Sequence, residues 1–235
     1  MQIGDSFKFV NPLTGSVIQT ARLTEVSDVR LPIVIQGKTE MRDMVQITFD
    51  QDVNGIVLGN SPAGDEFGFR NETTVFNEGL SRDFLVERNT IMDSRRFGSY
   101  IMANNGELNH NTYVGMSDQA ILGRNESGWP LGLWPSNISI RSNSFFANGF
   151  SARYLNQSQV YGTVDFHMNR LPNFSVDRDV REIRRLKIVD NHFEFWRKAA
   201  ISVRNAEAVT ILDNSFANSL GNFGNPVQVR FSTFL

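Results

Sequence analysis

Three acidic residues could supply carboxyl chemistry to this chain. Cleavage of a glycosidic bond needs two carboxyl groups, one that protonates the leaving oxygen and one that activates water or attacks the sugar. Asp93 and Asp118 follow two asparagines of a repeat described below, at 4 and 7 residues, so stacked repeats would bring them close. Glu126 precedes a Trp-bearing loop. We predict Glu126, Asp93 and Asp118 as catalytic residues; the alternative for the two aspartates is an ordinary turn residue.

Arginine, aromatic and further acidic side chains in the same part of the chain could hold a sugar. Planar arginine forks bind hydroxyls and carboxylates, and Trp and Tyr offer flat faces to sugar rings. The predicted substrate contacts are Trp129, Trp134, Arg95, Arg96, Arg124, Tyr154, Tyr161 and Asp165. Arg204 repeats the place of Arg124, which favours a stacked surface arginine as the alternative there. Trp and Tyr more commonly pack under loops.

A recurring pattern, apolar-x-apolar-x-x-Asn-polar-apolar, organises the chain that carries these residues. Two apolar residues separated by one residue point to the same side of an extended strand. The asparagine tolerates left-handed backbone geometry and suits a tight corner, and the apolar residue after it turns back inward. Copies of the pattern centre on Asn89, Asn111, Asn143, Asn191 and Asn214.

The spacing of these asparagines predicts the architecture. Successive copies are separated by 22, 32, 48 and 23 residues, which fits a solenoid with a period in the low twenties that two insertions enlarge. A second register agrees, since AILGRNE (120–126) and AISVRNA (200–206) begin 9 residues after Asn111 and Asn191. Stacked coils bury a common core and let their asparagines bond in a ladder. We predict an all-β, right-handed parallel β-helix.

Residues 1–48 follow a different pattern. Stretches such as SVIQTARLTEV (16–26) alternate apolar and polar residues between turn signals, as antiparallel hairpins do. We predict a small β-rich cap or side module over residues 1–48 and the parallel β-helix over 49–235, with loop insertions near 125–137 and 150–185. Long loops on a rigid scaffold commonly carry function, so we expect the site beside these insertions.

Composition excludes several classes of protein. The 235 residues include 23 Lys and Arg against 25 Asp and Glu, a net charge of −2, which offers no electrostatic basis for binding nucleic acid or an anionic membrane. Cysteine is absent, so disulfides and thiolate chemistry are excluded. No apolar run has the length of a membrane span, and no phosphate-loop or dinucleotide motif predicts a cofactor. The sequence leaves the oligomeric state open.

The start of the chain bears on its location. MQIGDSFKF leads straight into strand-like sequence and has no charged-then-apolar signal region. We expect an extracellular or periplasmic protein of which this chain is a part, without the signal peptide. The alternative is a cytosolic protein.

A family resemblance agrees with this interpretation of the repeat. ISIRSNSFFANG (138–149) and VTILDNSFANS (209–219) resemble the repeats of pectin-lyase-like right-handed β-helices. More narrowly, MDSRRFGSYIMA (92–103) followed by AILGRNESGWPLGLWPSNISIRSNSFFANG (120–149) is similar to the β-helices of α-galactosidases of glycoside hydrolase family 110. IGDSFKFVNPLTG (3–15) resembles the β-rich module that is inserted in those proteins.

The resemblance implies a carbohydrate-active protein. The leading hypothesis is an α-galactosidase-like glycoside hydrolase that acts on an extracellular oligo- or polysaccharide. A non-catalytic glycan-binding or structural β-helix is the first alternative.

A polysaccharide lyase is the second alternative. It would use Arg or Lys as its base and commonly calcium, for which Asp177 and Asp179 are the candidate ligands. A solvated charged run is the competing interpretation of these two residues, and we predict no metal site. His110, His167 and His192 are scattered along the chain, and the Asp-Asp and Gly-His-Gly signatures of polygalacturonases are absent.

Overall fold

The described residues form an all-β protein, as predicted. The computed structural model describes residues 2–10, 17–35, 38–54, 74–77, 82–124, 135–151, 161–167, 183–220, 225–230 and 233–234. Within these ranges the chain forms strands and turns and no helix. Nothing in the described part of the chain is therefore a helix of the length and apolar character that a membrane crossing requires.

The chain forms two compact units. Met1–Pro12 and Ser16–Leu80 make up the first unit, and Leu13–Gly15 and Ser81–Leu235 make up the second. The boundary predicted after residue 48 falls inside the first unit, because the strand that ends that unit pairs with the first strand of the chain.

The first unit is built on one antiparallel sheet. Its strands are β1 (Ser6–Val10), β2 (Val17–Ile35), β3 (Lys38–Phe49) and β4 (Thr74–Asn77). They lie in the order β3-β2-β1-β4. Alternate residues of β1 and β2 point inward, so Phe7, Phe9, Ala21 and Leu23 form the buried core. The Phe49 ring meets the Phe7 and Phe9 rings edge-on, at 5.2 and 5.3 Å between ring centres.

The second unit consists of three parallel sheets, numbered in the order in which the chain meets them. The first sheet contains β5 (Arg82–Glu87), β8 (Asn104–Asn109), β11 (Ser136–Arg141), β14 (Ile183–Val189), β17 (Ala206–Leu212) and β20 (Thr233–Phe234). The second contains β6 (Thr90–Met92), β9 (Thr112–Val114), β12 (Ser144–Phe146), β15 (His192–Glu194) and β18 (Ser215–Ala217). The third contains β7 (Ser99–Ile101), β10 (Ile121–Gly123), β13 (Gly162–His167), β16 (Ala199–Arg204) and β19 (Val227–Arg230).

The chain passes through the three sheets in the same order five times. Each pass, called a coil here, adds one strand to each sheet, from β5, β6 and β7 in the first coil to β17, β18 and β19 in the fifth. Neighbouring coils are therefore about 4.8 Å apart, the spacing of hydrogen-bonded strands. The predicted insertions adjoin β10 and β13, and residues 125–134, 152–160 and 168–182 lie outside the described residues.

The predicted asparagine ladder is confirmed. Nδ2 of Asn89 donates to Oδ1 of Asn111 at 3.2 Å, and the same bond joins each further pair in turn up to Asn214, at 3.1, 3.0 and 2.9 Å. The corner itself differs from the prediction. The left-handed residue is the one before each asparagine, with φ between 53° and 56°. The backbone N–H and side-chain amide of the asparagine are both engaged by the next coil, so the reversal falls on its predecessor.

A column of aromatic rings fills the core beside the ladder. The rings of Tyr113, Phe145, Phe193 and Phe216 stack with centres 5.2, 4.6 and 5.4 Å apart and with planes within 15° of each other. These are the residues that the pattern predicts to turn back inward, and the first three are fully buried. Stacked rings at this spacing stabilise the coils beyond the burial of their area.

Candidate functional site

Strand β13 is buried along its whole length, charged residues included. All six residues of Gly162–His167 are buried. Successive strand residues point to opposite faces, so Val164 and Phe166 lie on one face and Asp165 and His167 on the other. We call the face that carries Asp165 and His167 the Asp165 face of the third sheet. A buried carboxylate is costly unless it is paired, so the groups around Asp165 must compensate its charge.

Asp165 and His167 contact each other directly. Nδ1 of His167 lies 3.0 Å from Oδ1 of Asp165, and the two residues are 5% and 0% exposed. Nη2 of Arg204, from the neighbouring strand β16, lies 3.7 Å from the same oxygen. The other carboxylate oxygen, Oδ2, is buried and accepts no hydrogen bond of ordinary geometry from the described residues. One buried carboxylate thus faces an imidazole and a guanidinium group.

These neighbours set the charges of the pair. Burial alone would raise the pKa of Asp165, but the His167 ring, Arg204 and other donors outweigh it and hold that pKa below its ordinary value of 3.8. One of those donors is the Gln119 amide. Burial lowers the pKa of His167 below 6.5, the carboxylate opposes this shift, and Arg204 and Arg124 add to it. Near neutral pH Asp165 is therefore ionised and His167 neutral. Because an ionised carboxylate only accepts hydrogen bonds, Nδ1 of His167 carries the proton and Nε2 a lone pair.

Tyrosines and arginines form the half-buried edge of this group. Nε of Arg124 donates to Oη of Tyr100 at 3.1 Å, and its Cζ lies 5.7 Å from the centre of that ring. Cζ of Arg204 lies 5.5 Å from the centre of the Tyr161 ring, which meets the His167 ring edge-on at 6.0 Å. The buried pair thus has an edge that is partly open to solvent. The Asp165 cluster is the name used below for Tyr100, Arg124, Tyr161, Asp165, His167 and Arg204.

The structure brings three predicted substrate contacts together in the Asp165 cluster. They are Arg124, Tyr161 and Asp165. Arg95 is exposed in the turn before β7. The predicted residues that lie outside the described residues are Glu126, Trp129, Trp134 and Tyr154.

Other predicted residues meet elsewhere in the second unit. Nε of Arg96 lies 3.8 Å from Oδ2 of Asp118, and Oγ of Ser151 donates to Oδ1 of Asp118. Asp93 is exposed, and its carboxylate lies beside Gly115 of the next coil. Asp118 instead contacts Arg96 of the preceding coil, and the backbone N–H of Asp118 also donates to the carbonyl oxygen of Arg96. The two aspartates occupy different positions along their coils, so the structure does not stack their carboxylates.

Sequence reasoning missed His167, Arg204 and Tyr100 as members of the site. A signal for His167 was present, because one residue separates it from Asp165, the spacing of two side chains on one face of a strand. The repeat indicates Arg204 only as the counterpart of Arg124. The structure shows it in register with His167 and in contact with Asp165 of the preceding coil.

The described residues of the first coil line a pocket. It has a volume of about 400 Å³ and is lined mostly by apolar groups, including Phe84, Val86, Ile101 and Met102. β5 and β7 are the first described strands of their sheets. Among its described lining residues there is no carboxylate, so these residues lack the acidic group for hydrolysis that the Asp165 cluster holds.

The Asp165 cluster can transfer protons and bind oxygen-rich ligands. It combines an ionised carboxylate, a neutral imidazole, two guanidinium groups and two phenols. Among the described residues, no group of three or more His, Cys, Asp or Glu is placed to hold a metal ion. Compared with models of known protein families and with curated protein sequences, the chain shows no match.

Proposed function

We propose that the chain is a glycoside hydrolase of the α-galactosidase type, which acts on an extracellular oligo- or polysaccharide at the Asp165 face. The observation that carries the proposal is the ionised, buried Asp165 carboxylate against His167 and Arg204, both of which meet the half-buried Tyr161 ring. A carboxylate held in its ionised form is the group that attacks a sugar or activates water. Tyrosine rings offer the flat faces on which sugars stack.

The second carboxyl group of the reaction is assigned to Glu126. It follows Arg124 by two residues in the chain, and it lies outside the described residues. Asp118 is the described alternative, but Arg96 and Ser151 already engage its carboxylate.

The scaffold of this proposal is a right-handed parallel β-helix. Five identical passes through three parallel sheets and the asparagine ladder support it. Parallel strands are joined by right-handed crossovers in nearly all proteins. On such a scaffold neighbouring coils present their side chains side by side, and the cluster draws on the first four coils, from Tyr100 to Arg204.

The substitution Asp165→Asn tests the hydrolase proposal. The purified protein is assayed for release of reducing sugar from p-nitrophenyl α- and β-galactosides and from plant and bacterial polysaccharides. Loss of the ionised carboxylate should lower turnover on the order of a hundredfold or more, and Glu126→Gln should do the same. Asp190→Asn is the matched control, because Asp190 pairs with Arg141 on the first sheet. A folded Asp165→Asn protein with the wild-type rate would show the proposal to be wrong.

A polysaccharide lyase is the second candidate, and the neutral His167 favours it. In that reaction Nε2 takes the proton from the carbon beside a uronate carboxylate, the electron pair of that C–H bond forms a C=C bond, and the bond to the leaving oxygen breaks. The leaving oxygen takes up a proton from solvent. Elimination gives an unsaturated sugar that absorbs ultraviolet light, whereas hydrolysis does not, so the same incubation separates the two. Binding without either product would favour the non-catalytic glycan-binding alternative.

A further inference from the structure

Basic residues align across the third sheet at the end of its strands. His167 pairs in register with Arg204. Arg124 follows Gly123, whose register partner is the residue before His167. Three successive coils, the second to the fourth, thus carry a basic residue at the same place. We call Arg124, His167 and Arg204 the basic row.

Two arginines flank a histidine in the row. Neighbouring coils set the three residues about 5 Å apart, and like charges directly opposite each other on adjacent strands are destabilising. Arg204 and Arg124 therefore add to the lowering of the His167 pKa by burial, while Asp165 opposes it, and His167 is neutral near neutral pH. An anion bound along the row would attract both guanidinium groups and would favour the imidazolium form of His167. The chain as a whole carries a net charge of −2, so the attraction for an anion is local.

The tyrosines orient the guanidinium groups of the row. Arg124 donates through Nε to Oη of Tyr100 at 3.1 Å. Arg204 lies with its Cζ 5.5 Å from the Tyr161 ring centre. Both arginines are half-buried, and partial burial strengthens charge interactions relative to bulk water. A planar fork of this kind binds a carboxylate or sulfate group through paired hydrogen bonds.

We propose that the basic row is the subsite for an anionic substituent of the glycan, a carboxylate or a sulfate group, so that the substrate class is acidic rather than neutral glycans. This inference rests on the proposed function of the Asp165 face. The anion would lie beside the Asp165 and His167 pair, within one strand spacing of it. The row then selects the substrate, while the pair carries the chemistry.

Binding of three galacto-oligosaccharides of equal length tests the inference. One is neutral, one contains a uronate and one carries a sulfate group, and calorimetric titration measures each affinity. At low salt at least one acidic ligand should bind about tenfold or more tightly than the neutral one, and this advantage should shrink as salt screens the charges. Arg124→Gln should reduce the ratio of acidic to neutral affinity about tenfold. Arg141→Gln, on the first sheet, is the control and should keep the wild-type ratio.

The ring of His167 gives a second readout that requires no turnover. Its ¹⁵N signals are identified by their loss in His167→Gln, and its pKa is measured with and without ligand. Among the described residues, the charged and titratable groups that face this ring are Asp165, Tyr161, Arg124 and Arg204. A bound anion favours the imidazolium form, so galacturonate or a sulfated galactose should raise the pKa of His167, whereas galactose should leave it unchanged.

The outcomes separate this inference from the function on which it rests. A preference for the uronate or for the sulfated ligand supports the inference and identifies the anion. Equal affinity for acidic and neutral ligands, or an unchanged ratio in folded Arg124→Gln, overturns the inference and leaves the hydrolase proposal in place. Binding of none of the three ligands overturns both, and the neutral ligand distinguishes this case from the previous one.

Discussion

Nδ1 of His167 lies 3.0 Å from Oδ1 of Asp165, two residues away on the same face of β13. Arg204 of the next coil reaches the same carboxylate oxygen at 3.7 Å. Asp165 therefore contacts one residue of its own strand, His167, and one residue of the next coil, Arg204. Because both residues are buried, their charges depend on these partners rather than on solvent, and pH, stability and ligand binding are linked at this point.

Acidification should destabilise the protein through His167. Its pKa in the folded protein lies below the ordinary value of 6.5 because of burial, so the unfolded chain takes up the proton first as the pH falls. The stability that this pKa difference contributes is fully present above pH 6.5, and it is lost as the pH falls toward the pKa of His167 in the folded protein. Asp165 adds a loss of the same sign only below its ordinary value of 3.8. We expect the thermal unfolding temperature to fall between about pH 7 and pH 5.

Two variants check the source of this pH dependence. His167→Gln should flatten the decrease between about pH 7 and pH 5, because the titrating group is gone. His192→Gln removes an exposed histidine of the second sheet and should keep the wild-type profile. A profile that is the same in His167→Gln and in the wild type would contradict the prediction.

Asn143→Ala should break the ladder at its centre. Nδ2 of Asn143 donates to the Leu108 carbonyl at 2.7 Å and to Oδ1 of Asn191 at 3.0 Å, and its Oδ1 accepts from the backbone of Asn111 at 2.8 Å. Alanine leaves these buried groups without partners, at a cost of about 2–4 kcal/mol. Asn89→Ala, at the exposed end of the ladder, should cost about 1 kcal/mol or less. Urea unfolding measures both, and equal losses would show that burial of the ladder is irrelevant.

Gly123→Ala should disturb the Asp165 cluster through the core. A methyl group at this position would overlap the ring of Phe166, which is fully buried and lies between Asp165 and His167 in the chain. Overpacking of this kind costs about 1–3 kcal/mol, and we expect the ¹⁵N shifts of His167 to change as well. Measured unfolding and the His167 spectrum together test this.

A glycine of the first sheet provides the control for that variant. A methyl group at Gly106 would overlap the ring of Phe84, which is only half-buried in the first coil and has room to turn. Gly106→Ala should therefore cost less stability and leave the His167 spectrum unchanged. A larger loss for Gly106→Ala than for Gly123→Ala would contradict this account.

Tyr100→Phe should weaken selection of acidic ligands. The ring remains, but the Oη that accepts from Nε of Arg124 is lost, so the guanidinium group is no longer held in one direction. We expect the ratio of acidic to neutral affinity to fall about threefold to tenfold, the net value of one ordinary hydrogen bond. Tyr113→Phe is the matched control, since its hydroxyl contacts Ser99 within the core. A ratio that falls equally in both variants would contradict the assigned role of Tyr100.

The positions of the predicted catalytic aspartates show where a repeat pattern stops being informative. Asp93 and Asp118 follow their asparagines by 4 and 7 residues, and a difference of three residues corresponds to about 10 Å along an extended chain. Stacking aligns residues at equal offsets only. Asp118 therefore meets Arg96, which follows Asn89 by the same 7 residues. Equal offsets would have been the better criterion for pairing acidic residues.

The sequence by itself determined the all-β character, the ladder and the aromatic column. Each copy of the pattern repeats the same local geometry, and stacking multiplies it, so Asn191 and Asn214 meet because both occupy one place in their copies. Only the tertiary structure decided which polar residues share the Asp165 face. His167 and Arg204 are 37 residues apart in a chain whose short period is 23. Backbone hydrogen bonds between coils align them. The number of residues between His167 and Arg204 differs from the short period, so their separation in the sequence does not predict this alignment.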